Sequence, residues 1–154
     1  MSDHEGRAIA GAEVSGPSRF APFLPILAIS AGGALGACSR YAVNQFAGEH
    51  WSHPFPIATL AINLTGSFVL ALFLTVIATR NGRFTILRLF VATGFLGAYT
   101  TFSTFSVETA HLLRDDKWTI AFLYVSISLI GGMAAAFVGY RLARVLIEKD
   151  VNGV

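Results

Sequence analysis

Six consecutive residues, Thr100-Thr101-Phe102-Ser103-Thr104-Phe105, set hydroxyl donors and aromatic rings side by side. Phe102 and Phe105 are three apart, so on a helix they share a face. The edge of an aromatic ring is the positive end of its quadrupole. Ring edges and hydroxyl donors together can replace part of an anion's hydration shell. Just upstream, Gly97 opens the stretch Gly97-Ala98-Tyr99-Thr100-Thr101. Two readings of that stretch stand side by side. In one, the helix breaks, and carbonyls carrying partial negative charge are freed to hold a cation. In the other, the helix is continuous and its hydroxyls bond to carbonyls one turn back. Asn63 is the next candidate, a carboxamide inside an apolar stretch. Without a partner it is expensive there. It reads either as interhelical glue or as a donor facing a water-filled path. Tyr124, Ser128 and Gly131-Gly132 form a further polar or small stripe at helical spacing.

All these residues lie inside uncharged segments. No Asp, Glu, Lys or Arg occurs between Phe20 and Ser39, His50 and Thr79, Leu89 and Val107, or Trp118 and Tyr140. Each gap is long enough to supply the ~20 residues a helix needs to cross ~30 Å of hydrocarbon. The pattern predicts an all-α integral membrane protein of four transmembrane helices. They run from about Phe23 to Phe46, Pro56 to Thr79, Thr85 to Leu113 and Trp118 to Ile147. Pro22 and Pro25 stand at the first entry, where proline is tolerated. Trp51, Phe55 and Trp118 stand where interfacial aromatics belong. Gly32/Gly36 and Gly33/Ala37 repeat small residues four apart, a spacing that lets another backbone approach. Residues 1–21 read as a flexible tail, because they lack the basic start and apolar core of a signal peptide. Residues 22–149 form the transmembrane domain, and 150–154 a short C-terminal tail. Connections are short, so neighbouring helices should be antiparallel. Four helices with small and polar stripes enclose little volume, which predicts oligomerisation.

Composition agrees. The chain has 154 residues, 54% of them hydrophobic and only 13% charged, far from the soluble average. A basic run with interleaved aromatics is absent, which sets nucleic acid aside. The one cysteine, Cys38, cannot make a disulfide within the chain. His4, His50, His53 and His111 lie outside the spans or at their edges. With no metal-ligand spacing and no nucleophile–base pair, an enzyme is not expected. Placing both termini inside collects Arg7, Arg19, Arg80, Arg83, Arg88, Arg141, Arg144 and Lys149 on the cytoplasmic side. The other side keeps Arg114, Lys117 and Arg40 near the interface. The positive-inside rule favours that orientation.

Three segments resemble the Fluc/CrcB fluoride-channel family. They are Gly33 to Tyr41 (GALGACSRY), Thr59 to Phe68 (TLAINLTGSF) and Gly94 to Glu108 (GFLGAYTTFSTFSVE). The likeness extends over all four helices, from about Ile26 to Leu146, and the third segment is its specific part. It implies an antiparallel, dual-topology dimer in the plasma (inner) membrane, with the third helix broken at mid-membrane. The broken helices would cross at the dimer centre and share one structural Na+, held by the carbonyls of Gly97 and Thr100. Asn63 would donate to fluoride, and Phe102 and Phe105 would offer ring edges to two separate pores. Thr101, Ser103 and Thr104 would add hydroxyls. Tyr124 and Ser128 match a polar track on the last helix, and Arg40 and Glu108 match vestibule positions. Ala98 stands where much of the family has a second glycine. The Lys/Arg bias exceeds what a dual-topology protein should show, so the partner is either an inverted copy or an oppositely oriented relative.

The expected function is passive, fluoride-selective export that relieves fluoride toxicity. Fluoride is strongly hydrated, so a pore must offer replacement donors along its length. An interior-negative membrane drives an anion outward by ~2.3 kcal/mol per 100 mV. No phosphate-binding loop and no mid-membrane acidic residue indicates active transport. The alternative is a small proton-coupled multidrug exporter of four-helix, dual-topology type. That class needs a carboxylate in the middle of its first helix, and this chain has none there.

Overall fold

The structure, a computed structural model, describes residues 23–79 and 84–152. The expected N-terminal tail, Pro22, and Arg80 and Arg83 lie outside the described residues. Four helical segments are long and apolar enough to cross a membrane: Leu24–His50, Ile57–Ala78, Thr85–Arg114 and Trp118–Asp150. Four such segments in one chain make it a multi-pass membrane protein.

The first span is α1 (Leu24–His50) and the second α2 (Ile57–Ala78). The third is composite. It starts as α3 (Thr85–Arg88), widens into a π-helical stretch (Leu89–Leu96) and tightens into α4 (Gly97–Tyr99). It then breaks and resumes as α5 (Phe102–Arg114). The fourth span is α6 (Trp118–Asn152).

Small residues decide which spans pair. α1 lies along the first half of the third span, and α2 along α6. A Cβ on Gly32 would collide with the Phe90 carbonyl, and one on Gly36 with the Phe95 carbonyl. From the other side, a Cβ on Gly94 would come within 2.6 Å of the Ile29 carbonyl oxygen. The Gly32/Gly36 repeat therefore puts backbone directly against backbone. The α2–α6 seam uses the same device, since a Cβ on Gly139 would strike the Phe68 carbonyl. Large apolar side chains point outward instead, among them Phe23, Leu27, Ile130, Met133 and Phe137. An apolar surface this extensive suits lipid, not water.

The turn from α5 to α6 is tight. Lys117 N–H donates to the Leu112 carbonyl at 2.9 Å and Asp116 N–H to the Leu113 carbonyl at 3.3 Å. These are the two bonds of a Schellman motif, with Asp116 at its left-handed position (φ 57°). The short connection sets α5 antiparallel to the start of α6 and brings Glu108 level with Tyr124.

Candidate ion site at the break in the third span

Thr100 and Thr101 leave helical geometry, at φ/ψ of −75°/158° and −150°/120°. Of the two readings of Gly97 to Thr101, the broken helix is the observed one, and the break falls on its last two residues. The Leu96 carbonyl keeps its donors, Thr100 N–H at 3.0 Å and Thr100 Oγ1 at 2.9 Å. The next N–H turns away. A continuous helix would send Thr101 N–H to the Gly97 carbonyl; here it donates to Asn63 Oδ1 at 2.9 Å. Asn63 Nδ2 in turn donates to the Thr101 carbonyl at 3.0 Å. The carboxamide thus serves both backbone groups of one extended residue, as a neighbouring strand would. One Nδ2 hydrogen remains beyond this pair.

Thr101 then caps α5. Its Oγ1 accepts from Thr104 N–H at 3.1 Å. A continuous helix would have aimed that N–H at the Thr100 carbonyl. The Gly97 and Thr100 carbonyls therefore lose their helical donors. Thr101 Oγ1 also donates to Thr104 Oγ1 at 3.0 Å and lies 3.2 Å from Ser103 Oγ. The hydroxyls form one cluster.

α2 grips the break at two more points. Gly66 faces Thr100 so closely that a Cβ would strike the Thr100 methyl. Thr65 Oγ1 meets the Tyr99 hydroxyl at 3.1 Å, and the Tyr99 ring stacks on Phe95.

Beside the break opens a groove of about 290 Å³, lined by Asn63, Gly66, Thr100, Thr101, Phe102, Phe105 and Ser128 among others. Three spans contribute to it. Ser128 Oγ is buried there with no hydrogen-bond partner. Such a group is costly unless something polar visits it. The Phe102 and Phe105 rings lie 5.9 Å apart. Phe102 is 80% exposed on the single chain, whereas Phe105 is half-buried and packs on Tyr124 at 5.2 Å.

Tyr124 and Glu108 meet beyond Phe105. Tyr124 is fully buried and donates to Glu108 Oε2 at 2.7 Å. Thr59, equally buried, donates to Glu108 Oε1 at 2.9 Å. Phe55 sets its ring edge-on to Tyr124 at 5.7 Å. Of the residues singled out from sequence, Asn63, Thr100, Thr101, Phe102, Phe105 and Ser128 converge on the groove. Ser103 and Thr104 join through the Thr101 hydroxyl. Gly97 is exposed on the chain's surface, and Arg40 lies on α1 outside the groove lining. Thr59 and Thr65 were missed. Thr59 had a signal: Glu108 and Tyr124 are equidistant in sequence from the turn at Asp116, so a carboxylate at that level needs further donors.

The family model described as "CrcB-like protein, Camphor Resistance (CrcB)" matches residues 27–140. The chain is 49% identical over 120 residues to "Fluoride-specific ion channel FluC 1" of Bacillus cereus, covering 78% of this chain and 88% of that protein. It is 44% identical over 129 residues to the protein of the same name from Moorella thermoacetica, covering 83% and 92%. It is 41% identical over 121 residues to "Fluoride-specific ion channel FluC" of Roseiflexus sp., covering 79% and 98%. The matched segment spans all of the broken third helix and the residues around its groove, and the chain belongs to the CrcB/FluC family.

Proposed function

We propose that this chain is a fluoride-selective channel, passing fluoride passively down its electrochemical gradient, and not an enzyme. The observation that carries the reading is the groove at the break, where Ser128 offers a buried, unpartnered hydroxyl beside the Phe102 and Phe105 rings and Asn63. The names of the relatives support the choice of ion. Fluoride would leave water stepwise. Phe102 and Phe105 offer ring edges, the remaining Asn63 Nδ2 hydrogen and the Ser128 hydroxyl offer conventional donors, and Tyr124 continues the track toward Glu108. Thr101, Ser103 and Thr104 stiffen this wall through their mutual bonds. Arg40 and Glu108 belong to the approaches.

The partner is a second copy packed antiparallel, or an oppositely oriented relative, so that two pores flank a shared centre. The exposed face of Phe102 supports this, because in the pair it would border the pore and not lipid. The Gly97 and Thr100 carbonyls, released by the break, are a fitting donor set for Na+, the ion that unwound membrane helices hold through carbonyl oxygens. A bound Na+ would supply positive charge that lowers the cost of an anion in low dielectric. The fluoride pathway itself needs only the side chains named above.

The test is fluoride efflux from proteoliposomes, read with a fluoride electrode. Phe102→Ile and Phe105→Ile should each cut efflux while the protein still elutes as the assembled species. Unchanged efflux in both variants would remove the rings from the pathway.

A further inference from the structure

The described cationic residues are unevenly placed. Arg88, Arg141, Arg144 and Lys149 gather where α2 ends, α3 begins and α6 ends, with Glu148 and Asp150 as the acidic residues there. At the opposite end Lys117 is neutralised by Asp115 at 3.0 Å, and Asp116 and Glu49 offset the rest. Two grooves open at the cationic end. One, of about 370 Å³, is walled by Leu74, Ile77, Ala78 and Phe84 and carries Arg88. The other, of about 480 Å³, is walled by Leu74, Ala78, Tyr140 and Ile147 and carries Arg144. They share Leu74 and Ala78, so they flank the last turns of α2.

Depth gives the grooves meaning. Trp118 marks the far interface, and at ~1.5 Å per residue Arg144 stands roughly 39 Å along α6 from it. That exceeds the ~30 Å hydrocarbon core, so its guanidinium is at headgroup level. Arg88 belongs to the opening turn of the third span, at the same end. Among the described residues Arg88 makes no ion pair, and Arg144 has only a loose contact with Glu148 at 3.7 Å, both side chains being more than half exposed. Each groove therefore combines apolar walls running into the bilayer with an arginine, whose planar fork suits a phosphate, at its mouth.

We propose that this end of the chain is a binding site for anionic diacyl phospholipid, with phosphates on Arg88 and Arg144 and acyl chains in the two grooves beside Leu74. Basic pockets between spanning helices are where such headgroups collect. The site is separate from the fluoride groove and does not depend on how that groove works.

The purified full-length protein can be offered phosphatidylglycerol or phosphatidylcholine with identical acyl chains, and lipid retention read by native mass spectrometry. Phosphatidylglycerol should be retained preferentially. Arg88→Gln and Arg144→Gln should each lower its retention about fivefold, the equivalent of ~1 kcal/mol per basic residue near an anionic surface. Arg114→Gln, at the other end, should change nothing. Glu148→Gln should raise retention by relieving Arg144, a gain that misfolding cannot mimic. Equal retention of the two lipids, no effect of either arginine substitution, or full displacement of the lipid by soluble glycerol phosphate would each overturn the proposal.

Discussion

Gly66→Ala tests how tightly α2 controls the break. The new Cβ would overlap the Thr100 methyl, while its next neighbours, Tyr99 Cδ1 and Thr100 Cβ, stand at ordinary distances of 3.6 and 3.7 Å. Thr100 cannot simply rotate, because its hydroxyl is bonded to the Leu96 carbonyl at 2.9 Å. Rotation would lose that bond, a net ~0.5–1.5 kcal/mol, and force a strained χ1 for a similar ~0.5–1.5 kcal/mol. The other escape is for α2 to retreat, which would lengthen both Asn63–Thr101 bonds. Either route falls in the ~1–3 kcal/mol range of overpacking. Retreat of α2 would also shift Asn63 within the groove. We expect Gly66→Ala to lower thermal stability in detergent by that amount and to reduce fluoride efflux. Thr100→Ser removes the offending methyl and keeps the hydroxyl. In the Gly66→Ala background it should restore both stability and flux, giving a coupling energy of at least ~0.5 kcal/mol in a double-mutant cycle. Wild-type stability in Gly66→Ala alone, or purely additive effects in the pair, would refute the contact and the control it implies.

Three other substitutions probe neighbouring parts. Asn63→Ala leaves Thr101 N–H and its carbonyl without partners and should cost ~1–3 kcal/mol for each buried group, read by thermal unfolding in detergent. Gly36→Ala drives a methyl into the Phe95 backbone; since backbone cannot rotate away, assembly yield on size exclusion should fall further than for Gly33→Ala, where the nearest atom is 4.0 Å away. Asp116→Val places a β-branched residue at the positive-φ turn and should cost ~1–2 kcal/mol, whereas Asp116→Gly should be neutral or stabilising in the same melt.

The spans were legible because the physics behind them is one-dimensional. Charge is excluded from hydrocarbon, so the four uncharged gaps mark the four helices. The Gly32/Gly36 repeat also announced a close backbone contact, though not that Phe90 and Phe95 would supply it. The break was visible only as an ambiguity, because a glycine followed by hydroxyl residues is compatible with both continuous and interrupted helix. What decides it is Asn63, far away in sequence, which takes the Thr101 N–H that the helix would have used. No local pattern reports that exchange. The π-helical stretch Leu89–Leu96 was not legible either, since its wider turns carry no residue-type signature. Glu108 was noticed through family resemblance alone, yet its bonds to Thr59 and Tyr124 follow from the register that the Asp116 turn imposes.

The paired bonds between Asn63 and Thr101 carry a mechanical consequence. A kink made by proline or by a missing hydrogen bond can act as a hinge. This one is riveted: swinging the two halves of the third span would break both bonds together. The centre of the molecule is thus built as a fixed frame, and a gate, if the channel has one, must be sought at the mouths.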